Sequence, residues 1–119
     1  MTTEEQRIAI AEVCGWTTHN GLKNTNLWVK SDPRKHKDDV IISELPYYLN
    51  NLNNMHEAEK ILSDKGELVI QCYLDNLCIA TNGELAEMDG SYKEVWAMCY
   101  ATASQRAEAF LRTLNLWKE

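Results

Sequence analysis

The stretch Leu45 to Leu62, LPYYLNNLNNMHEAEKIL, constrains this chain more than any other. Tyr48, Leu52, Met55, Ala58, Ile61 and Leu62 recur at three or four residues, which places them on one stripe of a helix that can be buried. Pro46 drives Leu45 out of helical dihedrals and is itself tolerated in a first turn, so the spacing predicts a central helix beginning near Tyr47. The polar side is unusual. Asn50, Asn51, Asn53 and Asn54 are all weaker helix formers than Ala, Leu or Glu. Two explanations are open: an irregular first turn with Asn50 or Asn51 as the N-cap, which we place first, or amides that recognise a ligand or partner.

The flanking segments supply the other elements. Thr2 or Thr3, followed by Glu5 or Gln6, opens a first helix whose inner face is Ile10, Val13 and Cys14; Gly15 ends it, and Trp16 anchors the exit. Leu27 to Val29 and Val40 to Ile42 read as short strands. Between them, Pro33 and alternating charge describe an exposed loop. The basic residues Lys30, Arg34, Lys35 and Lys37 are largely neutralised by Asp32, Asp38 and Asp39, so a solvated loop is preferred over a phosphate site.

Downstream, Asp64 with Glu67 looks like a helix start, and Ile70, Tyr73, Leu74, Leu77 and Cys78 share a face of a helix ending at Asn82-Gly83. The competing reading is a hairpin, with strands Glu67 to Tyr73 and Leu77 to Thr81 around an Asp75-Asn76 turn. Glu84 to Tyr92 reads as an acidic loop, and Glu94 to Tyr100 as a short extended stretch with Trp96, Met98 and Tyr100 on one side. The last helix is opened by Thr102 and Gln105, buries Ala107, Phe110, Leu111 and Leu114, and ends at Asn115, after which Leu116 and Trp117 fold back. With 119 residues, 45% of them hydrophobic, the expectation is one compact domain over 1–119. Its predicted class is mainly α, with about four helices and at most a small β element; α+β is the alternative.

Charge and chemistry narrow the function classes. A net charge of -6 disfavours general affinity for nucleic acid or anionic membrane. No run is apolar enough to span a bilayer, and Glu4, Glu5 and Glu12 are incompatible with a signal peptide, so a cytoplasmic location is expected. Cys14, Cys72, Cys78 and Cys99 contain no C-x-x-C pair, three of them sit within apolar segments, and they read as buried reduced thiols rather than disulfides. His56, Glu57 and Glu59 suggest an active site, but Lys60 stands where a zinc-protease motif would need a second His, and the two glutamates point to different sides of a helix. We therefore expect no metal, no cofactor and no catalytic set. Arg106 instead invites pairing with a glutamate of the central helix, Glu59, as a structural tie between helices. Tyr47, Asn50, Asn51, Asn54, His56 and Glu57 are the candidate binding residues.

LPYYLNNLNNMHEAEKIL in the centre, ATASQRAEAFLRTLNLWKE at the end and the N-terminal helix closing on Cys-Gly-Trp resemble small phage and prophage proteins of the phage ABA sandwich domain family. The terminal motif is the more specific, combining the capping box, Arg106, Glu108 and the Leu-Trp finish. Thr17 to Glu44 and Ile79 to Val95 are not distinctive. The resemblance implies an α/β/α sandwich, from which this sequence departs by offering little convincing strand, and it carries no established catalytic residues. It implies an accessory protein that works in a bacterial host cell by binding a host or phage protein, for instance as a stoichiometric inhibitor of a host defence protein such as a CRISPR-Cas component. The alternative class is a small-molecule or nucleotide-binding protein, or a minor enzyme, with a pocket near His56 and Arg106.

Overall fold

A computed structural model describes residues 1–18, 28–31, 40–82 and 91–119. Among them, five helices and a small sheet follow in the order α1 (Thr3–Val13), β1 (Thr17–Thr18), β2 (Trp28–Ser31), β3 (Val40–Ser43), α2 (Leu52–Ser63), α3 (Glu67–Asn82), α4 (Ser91–Tyr100) and α5 (Ala103–Thr113). The protein is thus mainly α with a small β element. The strands form one antiparallel sheet in the order β1-β2-β3, with Val29 opposite both Thr17 and Ile42. Arg34, Lys35 and Lys37, of the basic cluster, lie outside the described residues, as does most of the acidic segment Glu84 to Tyr92.

Local chemistry sets the outer helices. Thr2 accepts from the Glu5 backbone N–H while the Glu5 carboxylate accepts from the Thr2 backbone N–H, so two donors at the start of α1 are satisfied reciprocally. Those Thr2 contacts, the backbone one first, hold the Glu5 carboxyl below its ordinary pKa. Thr102 and Gln105 repeat the arrangement at α5. Both helices also close alike. Gly15 at φ +95° and Asn115 at φ +58° take left-handed conformations. Trp16 N–H then reaches the Ala11 carbonyl at 3.0 Å and Leu116 N–H the Leu111 carbonyl at 2.8 Å, so an apolar residue lands on the core after each helix.

Helix α5 is the hub, packed against α1, α2 and α3. Phe110, Ile10, Met55, Leu77, Leu111 and Cys78 fill the centre, and Trp28 adds the inner side of the sheet. Two polar ties register α3 on α5: Asn76 donates to Thr113 Oγ1 at 3.1 Å, and Gln105 donates to the Ala80 carbonyl at 3.3 Å. Truncating Phe110 to Ala would cost about 3–5 kcal/mol, through lost transfer energy and the cavity left behind.

Several expectations need correction, beginning with the cysteines, of which Cys72 and Cys99 are exposed rather than buried. The central helix starts at Leu52, not near Tyr47: Tyr47 to Asn50 form a turn in which the backbone N–H groups of Asn50 and Asn51 both bond the Tyr47 carbonyl. Leu52 consequently occupies the first helical position and is exposed, not inward, while Tyr48 and Leu45 reach the core from the turn. Asp64 caps the end of α2 rather than the start of α3, which follows Gly66 at φ +103°. The preferred reading of the next segment stands: Glu67 to Thr81 are one continuous helix, and the hairpin alternative is excluded. Finally, Glu94 to Tyr100 belongs to α4, not to an extended segment. The alternation of Trp96, Met98 and Tyr100 resembled a strand only on the assumption that bulky apolar residues face inward. Here all three are exposed, and Ala97 is buried instead.

Candidate functional site

Three side chains converge on Glu59, in the middle of α2. Its Oε2 accepts from the Tyr73 hydroxyl at 2.8 Å and from Arg106 Nη1 at 3.3 Å, and its Oε1 lies 3.0 Å from His56 Nδ1. Helical spacing explains the His56 contact, since His56 and Glu59 are one turn apart on α2. Tyr73 comes from α3 and Arg106 from α5, so the carboxylate joins three helices.

Arg106 does more than neutralise Glu59. Its side chain is 5% exposed. Nε donates to the Ala101 carbonyl at 3.2 Å and Nη2 donates to the Met98 carbonyl. Those carbonyls end α4, where helix geometry leaves acceptors without intrahelical donors and where the backbone dipole favours a cation. A planar guanidinium can serve two carbonyls and a carboxylate at once, which a lysine ammonium could not match in geometry. Burial, then the neighbouring Glu59 charge, pushes the Tyr73 hydroxyl well above the ordinary tyrosine range, so Tyr73 remains a donor.

A second arginine builds a separate cluster. Arg7, on α1, donates from Nε to the Pro46 carbonyl at 3.0 Å and from Nη2 to the Leu45 carbonyl. Its guanidinium carbon sits 4.3 Å from the centre of the Tyr47 ring. The ring is therefore backed by a cation on one side while 53% of the residue faces solvent. Tyr47 also donates its hydroxyl to Glu44 Oε2 at 3.3 Å. The result is an exposed aromatic held in one orientation, in a turn shared with exposed Asn50.

The other candidate residues have mixed fates. Asn51 is the N-cap of α2, its side chain accepting from the Asn54 backbone N–H at 3.2 Å, so one of the asparagines has a local structural task. Asn50 is exposed and Asn54 half-buried. Glu57 is paired with Lys60 at 2.8 Å on the outer face, away from the Glu59 cluster. His56, Glu59 and Arg106 are brought together; Tyr47 stands in the separate Arg7 cluster. Arg7 and Tyr73 were missed in the sequence. A charged residue three positions before Ile10, on the inward side of α1, was the available signal for Arg7, whereas Tyr73 is indistinguishable from an ordinary core aromatic.

Cys14 and Tyr48 form a third, largely buried group next to Trp16. Burial raises the pKa of both the Cys14 thiol and the Tyr48 hydroxyl, so neither is an activated nucleophile or base. A groove of about 500 Å³ runs between α1 and the chain's C-terminal residues, lined by Ile8, Val13, Glu12 and Leu116, away from both arginine clusters.

No family model matches the chain, and neither a curated protein nor a solved structure is significantly similar to it. Function must be argued from the geometry. Among the described residues no three His, Cys, Asp or Glu side chains are grouped to hold a metal ion, and no helix is long and apolar enough to cross a membrane.

Proposed function

We propose that this is a phage- or prophage-encoded accessory protein that acts without catalysis, by binding a host or phage protein in the cytoplasm of a bacterial cell. Stoichiometric inhibition of a host defence protein, such as a CRISPR-Cas component, is the form of action that the resemblance to phage ABA sandwich proteins favours. The observation that carries the reading is Tyr47: an exposed aromatic, fixed from behind by Arg7, in a turn shared with exposed Asn50. A pre-ordered amphipathic ring loses little conformational entropy on association, and tyrosine is enriched among residues that dominate binding energy.

The competing reading places a ligand pocket at His56 and Arg106. It is less well supported, because the Arg106 guanidinium already serves Glu59, Met98 and Ala101. A ligand anion would have to displace those contacts from a buried side chain, which costs more than an exposed arginine would.

Affinity capture from host lysate with the wild-type protein and with Tyr47→Ala tests the proposal. One partner retained at near-equal stoichiometry by the wild type and lost by the variant, with unchanged thermal stability, supports it. Capture that ignores Tyr47, or a small-molecule ligand found by thermal shift in the absence of any partner, overturns it.

A further inference from the structure

Helix α4 is built inside out. Ala97 and Ala101 turn inward at 1% and 3% exposure, while Val95, Trp96, Met98 and Tyr100 are 59%, 56%, 51% and 66% exposed. Surface helices normally show the reverse, with bulky apolar residues on the core side. The small residues let α4 lie close against α3, and the large ones are left to solvent. Trp96 and Tyr100, one turn apart, stack with ring centroids 4.2 Å apart and an interplanar angle of 30°, forming a flat aromatic ledge.

We infer that this face of α4 pairs with the same face of a second copy of the chain, giving a two-fold symmetric dimer. Area supports that occupant. The four exposed side chains present roughly 500 Å² of apolar surface, at the upper end for a patch that a monomer leaves uncovered. Two such faces supply roughly 1,000 Å², which is the apolar share expected of a standard interface of about 1,600 Å² in a homodimer. Charge supports it as well. Residues 95–100 carry no charged side chain, so within this stretch two copies of a chain with net charge -6 oppose no like charges. An anionic membrane or nucleic acid finds no cation in that stretch to bind.

The helix geometry also places the symmetry axis. At about 100° per residue, Met98, Val95, Cys99, Trp96 and Tyr100 follow one another around the exposed arc, with Cys99 in its middle and Ala97 and Ala101 opposite. A two-fold axis passes through the centre of a self-complementary patch, so the two exposed Cys99 thiols are the side chains brought nearest to each other. This pairing uses a surface other than the Tyr47 edge and stands or falls independently of the proposed function.

Sedimentation equilibrium over the micromolar range, together with mild oxidation, tests it. The wild type is expected to be dimeric, and Trp96→Glu or Met98→Glu to weaken dimerisation by about 30-fold or more while leaving helix content and thermal unfolding intact. In a Cys72→Ser background, oxidation of the native protein should yield a disulfide-linked dimer that Cys99→Ser abolishes. A wild type that stays monomeric, a dimer indifferent to both charge substitutions, or a dimer in which Cys99 does not cross-link overturns the inference. So does saturable binding of the monomer to neutral lipid vesicles through α4.

Discussion

Tyr73 donates its hydroxyl hydrogen to the Glu59 oxygen that also accepts from Arg106, at 2.8 Å against 3.3 Å. A neutral donor and a cation thus share one carboxylate oxygen beneath the surface, and neither can be removed without changing the surroundings of the other two groups. Buried polar sets of this kind stabilise only when complete.

Removal of the cation is the most damaging change. Arg106→Ala should cost about 3–5 kcal/mol in urea denaturation, since the mostly buried Glu59 carboxylate loses its cation and two helix-terminal carbonyls lose their donor. Arg106→Lys should recover only part of that loss, because a single ammonium cannot reproduce the three-way fork. A lysine variant within about 0.5 kcal/mol of the wild type would show that charge alone is sufficient.

High pH should unfold the protein through its tyrosines. The hydroxyls of Tyr48 and Tyr73 have raised pKa values in the folded chain, from burial first and then from neighbouring Cys14 and Glu59 respectively. Below about pH 10 both are protonated whether the chain is folded or not, and the two tyrosines add no pH dependence. Above it the unfolded chain releases those protons while the folded chain keeps them, so stability falls by about 1.4 kcal/mol per pH unit for each tyrosine. Unfolding free energies measured from pH 9 to 11 should show a shallower decline in Tyr73→Phe; an unchanged slope would remove Tyr73 from the account.

The asparagine-rich entry to α2 separates into structural and surface positions. Asn51→Ala should destabilise by about 1 kcal/mol, as the N-cap acceptor for Asn54 is lost, whereas Asn50→Ala should be nearly neutral to folding. Equal effects in thermal unfolding would contradict the assignment of Asn51 as the cap.

What the sequence reveals about this fold follows the range of the interactions involved. The caps at Thr2 and Thr102 and the left-handed exits at Gly15 and Asn115 depend on residues within one or two turns, and all are readable from local spacing. The Glu59–Arg106 pair is legible as a tie between two helices, but its depth is not: Arg106 falls outside the apolar stripe of Ala107, Phe110, Leu111 and Leu114 and is nonetheless buried. For Arg7 only the charge on the inward side of α1 is legible, not its partners, since it is engaged by backbone carbonyls at Leu45 and Pro46, and every residue has a carbonyl. Helix α4 misled for a different reason: reading burial from side-chain size fails where the small residues face inward. Leu52 fits the apolar period but falls in the first turn, where the core has not yet begun.

Arg106 grips α4 by the carbonyl oxygens of Met98 and Ala101, and a carbonyl is the same whichever side chain its residue carries. Attachment of this helix is therefore uncoupled from the identity of its outward residues. Positions 95, 96, 98, 99 and 100 can diversify without loosening the helix, so α4 is a mount on which new surfaces can be tried while its fastening is inherited unchanged.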